Sequence, residues 1–399
     1  MSNDRIEDTL DSVHAPEPES DQKPDTPPKL AGSSWAYALK RSTKEFSSDG
    51  CLDLAAMLTY YTVLSLAPAL LAIFSIISLV FASNAGTVTT VVDEFAREYV
   101  PADYQVLVSD LVDTLIGSAT GGVIALIIGI ATALWSASAY VKAFSRGSNI
   151  IYNRAEGRGL IKQTGTMLLT TLAMLFGIVV ILVSLALNET LVSGLLSPIA
   201  EPLGLGGTLE FLLRHFLPVW AWVKWPFIGV LIIVLIATLY YFTPNVKPPK
   251  FSWISLGSIV AIIGIVIVSG ALYVYFAFFA GYSSYGVIGG VMALLFTLWV
   301  FNIMLLLGVE IDAEVERARE LQADLPAADN IQLPPRDTAG VEKQKRTQEK
   351  LADEGEDLRT QHQDVNASGE KKRSPTSGDE DHIEQDDTAG EGSSPQKGR

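Results

Sequence analysis

Residues 219–242 read VWAWVKWPFIGVLIIVLIATLYYF, and one lysine is the only charged side chain among them. A helix that crosses the hydrocarbon core of a bilayer needs roughly 20 consecutive, mainly apolar residues. A helix on the surface of a soluble protein keeps a polar face instead. The stretch is therefore typical of a membrane-spanning helix.

Five further apolar runs of similar length lie on either side of this stretch. Such runs rarely belong to buried helices of a soluble protein, because those helices seldom stay apolar on every face. We therefore predict an all-α polytopic membrane protein, with its membrane domain at residues 34–320. Its six transmembrane helices are predicted at about 54–82, 122–141, 166–187, 219–242, 251–280 and 286–308.

The two ends of the chain carry most of its net charge of −15. Residues 1–33 hold 8 acidic and 3 basic side chains, and residues 321–399 hold 18 and 11. Both segments are poor in aliphatic residues, so they bury too little apolar surface to offset the entropy of ordering. We predict a disordered acidic tail at each end, after a short helical continuation over residues 310–321. The acidity argues against a nucleic-acid partner.

Basic side chains are concentrated in alternate loops. Twelve lie before the first run, between the second and third, between the fourth and fifth, and after the sixth. Because short basic loops stay in the cytoplasm, we expect a multi-pass protein of the cytoplasmic membrane with both termini inside. The N-terminus lacks the pattern of a cleaved signal peptide, so we expect the first helix to be retained.

The two long loops on the opposite side carry apolar residues at helical spacing. In the first loop they occur over about residues 88–99 and 104–115, and in the second over 191–196 and 209–217. The spacing predicts amphipathic helices. They either cap the bundle or lie along the membrane interface.

The first run combines a proline with a group of polar side chains. Pro68 removes a backbone donor and clashes with the preceding turn, which predicts a kink or break near mid-membrane. The hydroxyls nearby either satisfy the freed backbone groups or line a cavity beside the broken helix. The polar group consists of Thr59, Tyr60, Tyr61, Thr62 and Ser65.

The second run ends in an aromatic and basic stretch. Trp135 precedes Lys142 and Arg146, and the predicted loop 146–153 contains Asn149. Cations at the inner edge of a membrane either anchor the helix or attract anionic headgroups.

The sixth run contains Asn302 and is followed by Glu310. This glutamate lies on the same predicted side as Asp53, Lys142 and Arg146. An unpaired carboxylate at the membrane edge is costly, so we expect Glu310 to pair with a cation from the second run or its following loop.

Residue types for catalysis or metal binding are scarce. Outside the predicted tails His215 is the one histidine, and Cys51 is the only cysteine of the chain. No spacing of His, Cys and Asp fits a metal site, and no phosphate-binding loop or nucleophile elbow occurs. We expect a protein that is not an enzyme, with no cofactor and no metal. Cys51 is expected to be an inert buried thiol, and His215 a surface residue.

Four groups of residues resemble the YihY/BrkB family of bacterial inner-membrane proteins. They are AAMLTYYTVLSLAP at 55–68, LWSAS at 134–138 with NIIYNR at 149–154, LYYFTPN at 239–245, and YGVIGG at 285–290 with LLGVEIDAE at 306–314. The resemblance implies a six-helical inner-membrane protein, and some members carry the label virulence factor or are linked to lipid export. At residues 308–312 the family pattern is nearer Gly-Ala-Glu-Leu-Asn, so this chain keeps Glu310 and adds a charge at Asp312.

The family also has an older label as a tRNA-processing ribonuclease, which this sequence does not favour. A metal-dependent nuclease needs a cluster of histidines and aspartates to hold zinc and activate water. One histidine outside the tails does not supply that cluster.

Two functional hypotheses remain. The first is a transporter-like protein, or one that takes part in lipid or envelope export, with membrane lipids as its partners. The second is a non-transporting membrane scaffold whose tails recruit protein partners; a homo-oligomer is compatible with either. The residues predicted to line a cavity are Tyr60, Tyr61, Ser65, Pro68, Trp135, Asn149 and Asn302.

Overall fold

The computed structural model describes residues 2–80 apart from 19, 21, 22 and 25–28, then 122–187, 206–247, 251–278 and 286–371, with isolated positions at 90, 93, 94, 97, 105 and 192. The regular structure of these residues is helical. The helices are α1 Ser2–Asp11, α2 Gly32–Ser48, α3 Cys51–Val80, α4 Gly122–Ile151, α5 Leu160–Ala186, α6 Leu217–Phe242, α7 Phe251–Phe278, α8 Gly286–Gln322 and α9 Ala339–Lys371. A short helix, Gly206–Phe211, and a π-helical turn, Leu212–Phe216, lead directly into α6.

Helices α3 to α8 form a closed ring. Each packs against the next helix along the chain, and α8 returns to pack against α3. Helix α2 lies against α8, and α8 also contacts α4. The first and last helices of the ring are therefore neighbours.

The outer surface of the ring is apolar. Among the described residues, the helical stretches long and apolar enough to cross a membrane are Leu160–Ala186, Leu212–Phe242, Leu256–Tyr275 and Gly289–Gln322, and Cys51–Leu66 is a shorter apolar helix. In the most apolar parts of the four long stretches, only 11–33% of the residues are buried inside the protein. Most of their side chains are therefore exposed or half-buried, as expected of a polytopic membrane protein whose solvent is hydrocarbon.

The main core lies at one end of the ring, here called the polar end, where α3, α5 and α7 begin and α4 and α6 end. Leu58, Phe144, Leu239 and Leu306 meet there, and each is at most 1% exposed. Helix α8 continues past this end by several turns. The polar end is therefore where apolar packing and charged side chains come together.

Three described residues take the left-handed backbone conformation, and one of them is Asp324, which has a φ of 59° just after α8. Asn153 has a φ of 49° just after α4, where the amide of Arg154 donates to the carbonyl of Asn149 at 2.8 Å. Gly50 has a φ of 66° in the turn between α2 and α3. Glycine and asparagine tolerate this conformation best, and it closes the C-terminus of a helix.

The helix positions follow the predicted apolar runs, with two corrections. Helix α4 extends ten residues beyond the predicted end, so Asn149 lies in its last turn and the predicted loop 146–153 is mostly helical. Helix α3 runs through Pro68 to Val80, so of the predicted kink or break, the break does not occur. Freed backbone groups are costly in hydrocarbon, which favours continuing the helix across a proline.

The predicted amphipathic helices fall largely outside the described residues. This holds for residues 88–99, 104–115 and 191–196, in which the structure describes isolated positions. Residues 209–217 are described and are helical, as predicted.

The ends of the chain differ from the predicted disordered tails. The N-terminal segment forms α1 and buries Ile6 and Lys23, and the segment after α8 buries Ile331 and Leu333 in the main core. Helix α9 then spans Ala339–Lys371, and residues 372–399 lie outside the described part. Composition underestimated this order because a few aliphatic side chains suffice when a folded bundle supplies the opposing surface.

Candidate functional site

The seven predicted cavity residues do not converge on one space. Tyr60 and Trp135 lie on the outside of the ring and are 61% and 58% exposed. The hydroxyl oxygen of Ser65 is buried and has no hydrogen-bond partner among the described residues. The members that are buried or half-buried are Tyr61, Ser65, Pro68, Asn149 and Asn302.

Asn302 joins three helices of the ring. Its carbonyl oxygen accepts a hydrogen bond from the hydroxyl of Tyr140 at 3.0 Å, and its amide nitrogen donates to Thr59 Oγ1 at 3.2 Å. The same nitrogen donates to the carbonyl of Leu298 at 2.9 Å. A side-chain amide whose donors and acceptor are all engaged holds helices together. Asn302 is therefore a packed junction of α3, α4 and α8.

Aromatic rings and cations, some exposed and some half-buried, meet where α3 and α4 pack against each other. The ammonium of Lys142 lies 4.5 Å from the ring centroid of Trp135, and the guanidinium of Arg146 lies 5.3 Å from that of Tyr61. The rings of Tyr60 and Tyr61 are 5.5 Å apart, edge to face. We call these five residues the aromatic–basic patch.

The two cations of the aromatic–basic patch have no carboxylate partner within the described part of the chain. Lys142 is half-buried and Arg146 is exposed. A cation over an aromatic ring gains about 0.5–1 kcal/mol at an exposed site and keeps its charge available to an anion. Tyrosine and tryptophan favour the interface between hydrocarbon and headgroups. The patch therefore combines an interfacial anchor with two uncompensated positive charges.

A second concentration of charge lies where α8 continues past the polar end. Its carboxylates are at most 9% exposed, and we call them the acidic segment: Glu310, Asp312, Glu314, Glu316 and Glu320. Buried carboxylates are costly unless cations or hydrogen-bond donors face them.

Cations from three regions of the chain neutralise the far part of the acidic segment. The ammonium of Lys23 lies 3.0 Å from a carboxylate oxygen of Glu316 and 3.0 Å from one of Glu320. The ion pairs among the described residues include Lys23 with Glu316 and Glu320, Arg319 with Glu316, and Arg41 and Arg317 with Glu314. The N-terminal segment is thus bound to α8 by a buried ion pair.

Among the described residues, Glu310 in the near part of the acidic segment has no cation partner, so its predicted pairing with a cation of α4 or the following loop is wrong. Both carboxylate oxygens of Glu310 are buried without a hydrogen-bond partner among the described residues. Lys142 and Arg146 lie on aromatic rings instead, and Asp53 is exposed. The predicted charge cluster is not assembled, because its cations project from the outside of α4 whereas Glu310 lies inside.

Helices α7 and α8 approach each other closely at two glycines. The amide of Gly257 donates to a carboxylate oxygen of Asp312 at 2.7 Å. A methyl group on Gly308 would lie 2.6 Å from the carbonyl oxygen of Gly257. Small residues allow this approach of two apolar helices.

Arg158 and Arg336 bind the C-terminal end of α6 at the polar end. Arg158 donates to the carbonyls of Phe242 and Thr243 at 3.0 and 2.7 Å, at the C-terminus of α6. Arg336 donates to the carbonyl of Tyr241 at 2.6 Å. Terminal carbonyls of a helix lack intrahelical partners and carry partial negative charge, so cations stabilise them.

Asn149 and Arg154 also hydrogen-bond to the loops at the polar end. Asn149 accepts a hydrogen bond from the amide of Asn245 at 2.7 Å and donates to Glu156 at 3.1 Å, so it positions loops and does not face a cavity. Arg154 is 1% exposed, and burial lowers the pKa of its guanidinium to about 10. Its side chain donates to the carbonyl of Leu333 at 3.2 Å.

In the sequence, Arg154 and Arg158 counted only as basic loop residues that indicate the orientation in the membrane. The buried contacts of Lys23 and Arg336 were not predicted. One local signal was present, since glycines flank Arg158. A methyl group on Gly157 would collide with the backbone of Asp337, so the chain needs glycine there for close approach of the segment after α8.

Within the described ranges, no group of three His, Cys, Asp or Glu side chains is arranged to hold a metal ion. The imidazole of His215 stacks on Phe211 with ring centroids 5.4 Å apart.

Comparison with known proteins identifies the family. The sequence model of the family Virulence factor BrkB matches residues 42–332. The chain is also similar to the ribonuclease-like protein YfkH of Bacillus subtilis (strain 168), with 30% identity over 274 residues, which cover 68% of this chain and 92% of the relative. No solved structure matches. The match over residues 42–332 shows that the chain belongs to the Virulence factor BrkB family.

Proposed function

We propose that this protein binds anionic membrane lipids at the aromatic–basic patch and takes part in their movement or export. The observation that carries the proposal is the pair of cations, Lys142 and Arg146, held over the rings of Trp135 and Tyr61 without a carboxylate partner in the described residues. The patch lies on α3 and α4, and the other helices of the ring are long and apolar enough to cross a membrane, so we expect lipid to surround it.

The chemistry of the patch favours a lipid over a soluble anion. Exposed Tyr60 and Trp135 present apolar ring surface beside the cations. A phospholipid offers both a negative headgroup and an acyl chain, so one molecule contacts the cations and the rings together. Each lysine or arginine near an anionic membrane contributes about 1 kcal/mol, and two contribute roughly a 30-fold preference.

We propose further that the protein is not a ribonuclease, although its relative YfkH is described as ribonuclease-like. The support is the scarcity of histidines that could bind a metal ion or act as a base. His215 is the one histidine between residues 15 and 361, and it stacks on Phe211. Incubating the purified protein with tRNA tests this directly. Cleavage that disappears in a His215→Ala variant would contradict it.

The lipid proposal is tested by native mass spectrometry of detergent-purified protein. The double variant Lys142→Gln/Arg146→Gln should retain phosphatidylglycerol roughly 30-fold less than the parent, with phosphatidylcholine unchanged. The matched control is Lys162→Gln/Lys247→Gln, which removes two exposed lysines that are ion-paired with Asp337 and Glu17. Equal retention of phosphatidylglycerol by both double variants would refute the patch as a lipid site.

Movement of lipid needs a separate assay. Proteoliposomes containing fluorescent phosphatidylglycerol report transfer between leaflets when an impermeant quencher is added outside. We expect the parent to accelerate transfer and the Lys142→Gln/Arg146→Gln variant to lose most of the acceleration. If lipid transfer is no faster than in protein-free liposomes, the proposal that the protein moves lipid between leaflets is refuted, whereas the proposal that it binds lipid still stands.

The orientation is part of the proposal. We propose that the polar end and both termini face the cytoplasm, because the basic loops are concentrated at that end. A reporter fused after Arg399 that fluoresces only in the cytoplasm should be active. An active periplasmic reporter at the same position would overturn the orientation.

The scaffold hypothesis is supported by a different observation. Helix α9 spans 33 residues, and its side chains from Arg346 to Gln363 are nearly all exposed. A long, charged, exposed helix offers surface to a protein partner. Deleting residues 346–399 should remove co-purifying proteins if the scaffold function holds, whereas lipid retention should stay unchanged.

A further inference from the structure

The carboxyl group of Glu310 is buried without compensation. The residue is 1% exposed, and neither oxygen has a hydrogen-bond partner among the described residues. It lies at the point where α8 leaves the apolar ring. Transfer of an ionised carboxylate into such a place costs several kcal/mol unless a cation or a proton neutralises it.

The groups around Glu310 are mainly acidic. Helix α2 contributes Glu45, and the turn after it contributes Asp49; α8 itself contributes Glu314 and Arg317. The thiol of Cys51 on α3 and the hydroxyl of Tyr152 after α4 complete the surroundings.

The cations nearby already serve other groups. Arg317 pairs with Glu314 at 3.0 Å and donates to the carbonyl of Ala327 at 2.9 Å. Arg41 pairs with Glu314 at 3.2 Å and with Glu45 at 3.3 Å. The positive charge of the region is therefore directed at Glu314 and Glu45. Helix α2 runs antiparallel to α8, since Ser34 donates to Gln322 at 3.0 Å and Arg41 pairs with Glu314, so the turn that holds Asp49 lies beside Glu310.

Asp49 is the half-buried member of this pair. Burial, and then the charges of Glu45 and Glu314, raise the pKa of its carboxyl to about 7. A carboxyl in a poorly solvated place seldom ionises beside one that is already charged, so an ionised Asp49 favours the protonated form of Glu310. Asp49 is partly open to water, whereas Glu310 is not, which gives the buried carboxyl a route for proton exchange.

We propose that Glu310 and Asp49 form a proton-binding site that joins α2 to α8. With one proton bound the pair carries a single negative charge, and loss of that proton places two negative charges at the contact between the helices. The ligand is a proton and not a metal ion, because the described residues provide no group of three donor side chains arranged around a cation. This inference does not depend on lipid binding at the aromatic–basic patch.

The test is infrared spectroscopy of the full-length protein in nanodiscs over a pH series. A protonated carboxyl gives a C=O stretching band that ionisation removes. The difference between the parent and Glu310→Gln should isolate one titrating carboxyl. The Asp49→Asn variant should move the midpoint of this band down by about one pH unit, because the neighbouring negative charge is gone. The control is Glu349→Gln, an exposed residue of α9.

Each outcome decides the proposal. A band that is unchanged in Glu310→Gln, or a midpoint that is the same in parent and Asp49→Asn, overturns it. A band abolished by sodium or potassium at constant pH also overturns it, in favour of a metal-cation site. Should Glu310→Gln fail to fold, the shift of the parent's carboxyl band in Asp49→Asn still decides. Lipid retention measured on the same variants should not change, so this test and the lipid test fail separately.

Discussion

Replacing Gly308 by alanine should destabilise the protein at the contact between α7 and α8. The added methyl group would collide with the hydroxyl of Tyr240 and lie 2.6 Å from the carbonyl oxygen of Gly257. It would also lie 3.1 Å from the methyl group of Ala261. Backbone atoms of a packed helix cannot move aside as a flexible side chain does, so the two helices must separate.

The magnitude follows from three contributions. Overpacking a close helix contact costs about 1–3 kcal/mol. Displacing the Tyr240 hydroxyl weakens its 2.5 Å hydrogen bond to the carbonyl of Leu305, at about 1 kcal/mol. Alanine regains about 1 kcal/mol through its higher helix propensity. The net loss is about 1–3 kcal/mol.

The assay is thermal unfolding in detergent micelles at a fixed heating rate, followed by tryptophan fluorescence. The matched control is Gly229→Ala in α6, where a methyl group would have no heavy atom within 4 Å. We expect the control to match the parent or exceed it slightly, and Gly308→Ala to unfold several degrees lower. Equal unfolding temperatures for the two variants would refute the close contact.

Two further predictions concern the polar end. The pKa of Asp49 is raised from 3.8 to about 7, so its stabilising contribution is present below the ordinary pKa and is lost as the pH rises towards 7. At about pH 8 the Asp49→Asn variant should therefore be more stable than the parent by about 2 kcal/mol, a value that allows for the partial exposure of Asp49. At about pH 4 the two proteins should be equally stable. Thermal melts that show the same gain at both pH values would contradict this prediction. Arg158→Met should cost about 3–5 kcal/mol because it leaves buried acceptors without their donor. Lys162→Met, which breaks an exposed pair, should change the melting temperature little, and similar losses for the two variants would argue against the network.

The apolar runs predicted helix positions well because the requirement of a bilayer is local. A stretch of chain that crosses hydrocarbon must be apolar along its own length, whatever it packs against. The prediction ended α4 too early for a related reason. Ser145, Ser148 and Asn149 resemble a polar loop, yet all three are buried at the polar end, and the side chains of Ser145 and Asn149 hydrogen-bond within the protein.

The site was less predictable because its contacts join distant parts of the chain. Lys23 and Glu316 are separated by 293 residues, and nothing in the composition of either segment indicates the other. The basic loops indicated which end of the bundle carries charge, but not which side of α4 its cations occupy. Glu310 was therefore placed at the correct end and given the wrong neighbours.

The closure of the ring between α3 and α8 has a consequence for how the chain is made. Thr59 emerges from the ribosome early and receives its hydrogen bond from Asn302, which is 243 residues further along. In a nascent chain halted within α7, Asn302 has not yet been made, so Thr59 on α3 lacks this hydrogen-bond donor. Such intermediates need shielding by the insertion machinery until synthesis of α8 is finished, and truncated products should be cleared rapidly by membrane quality-control proteases.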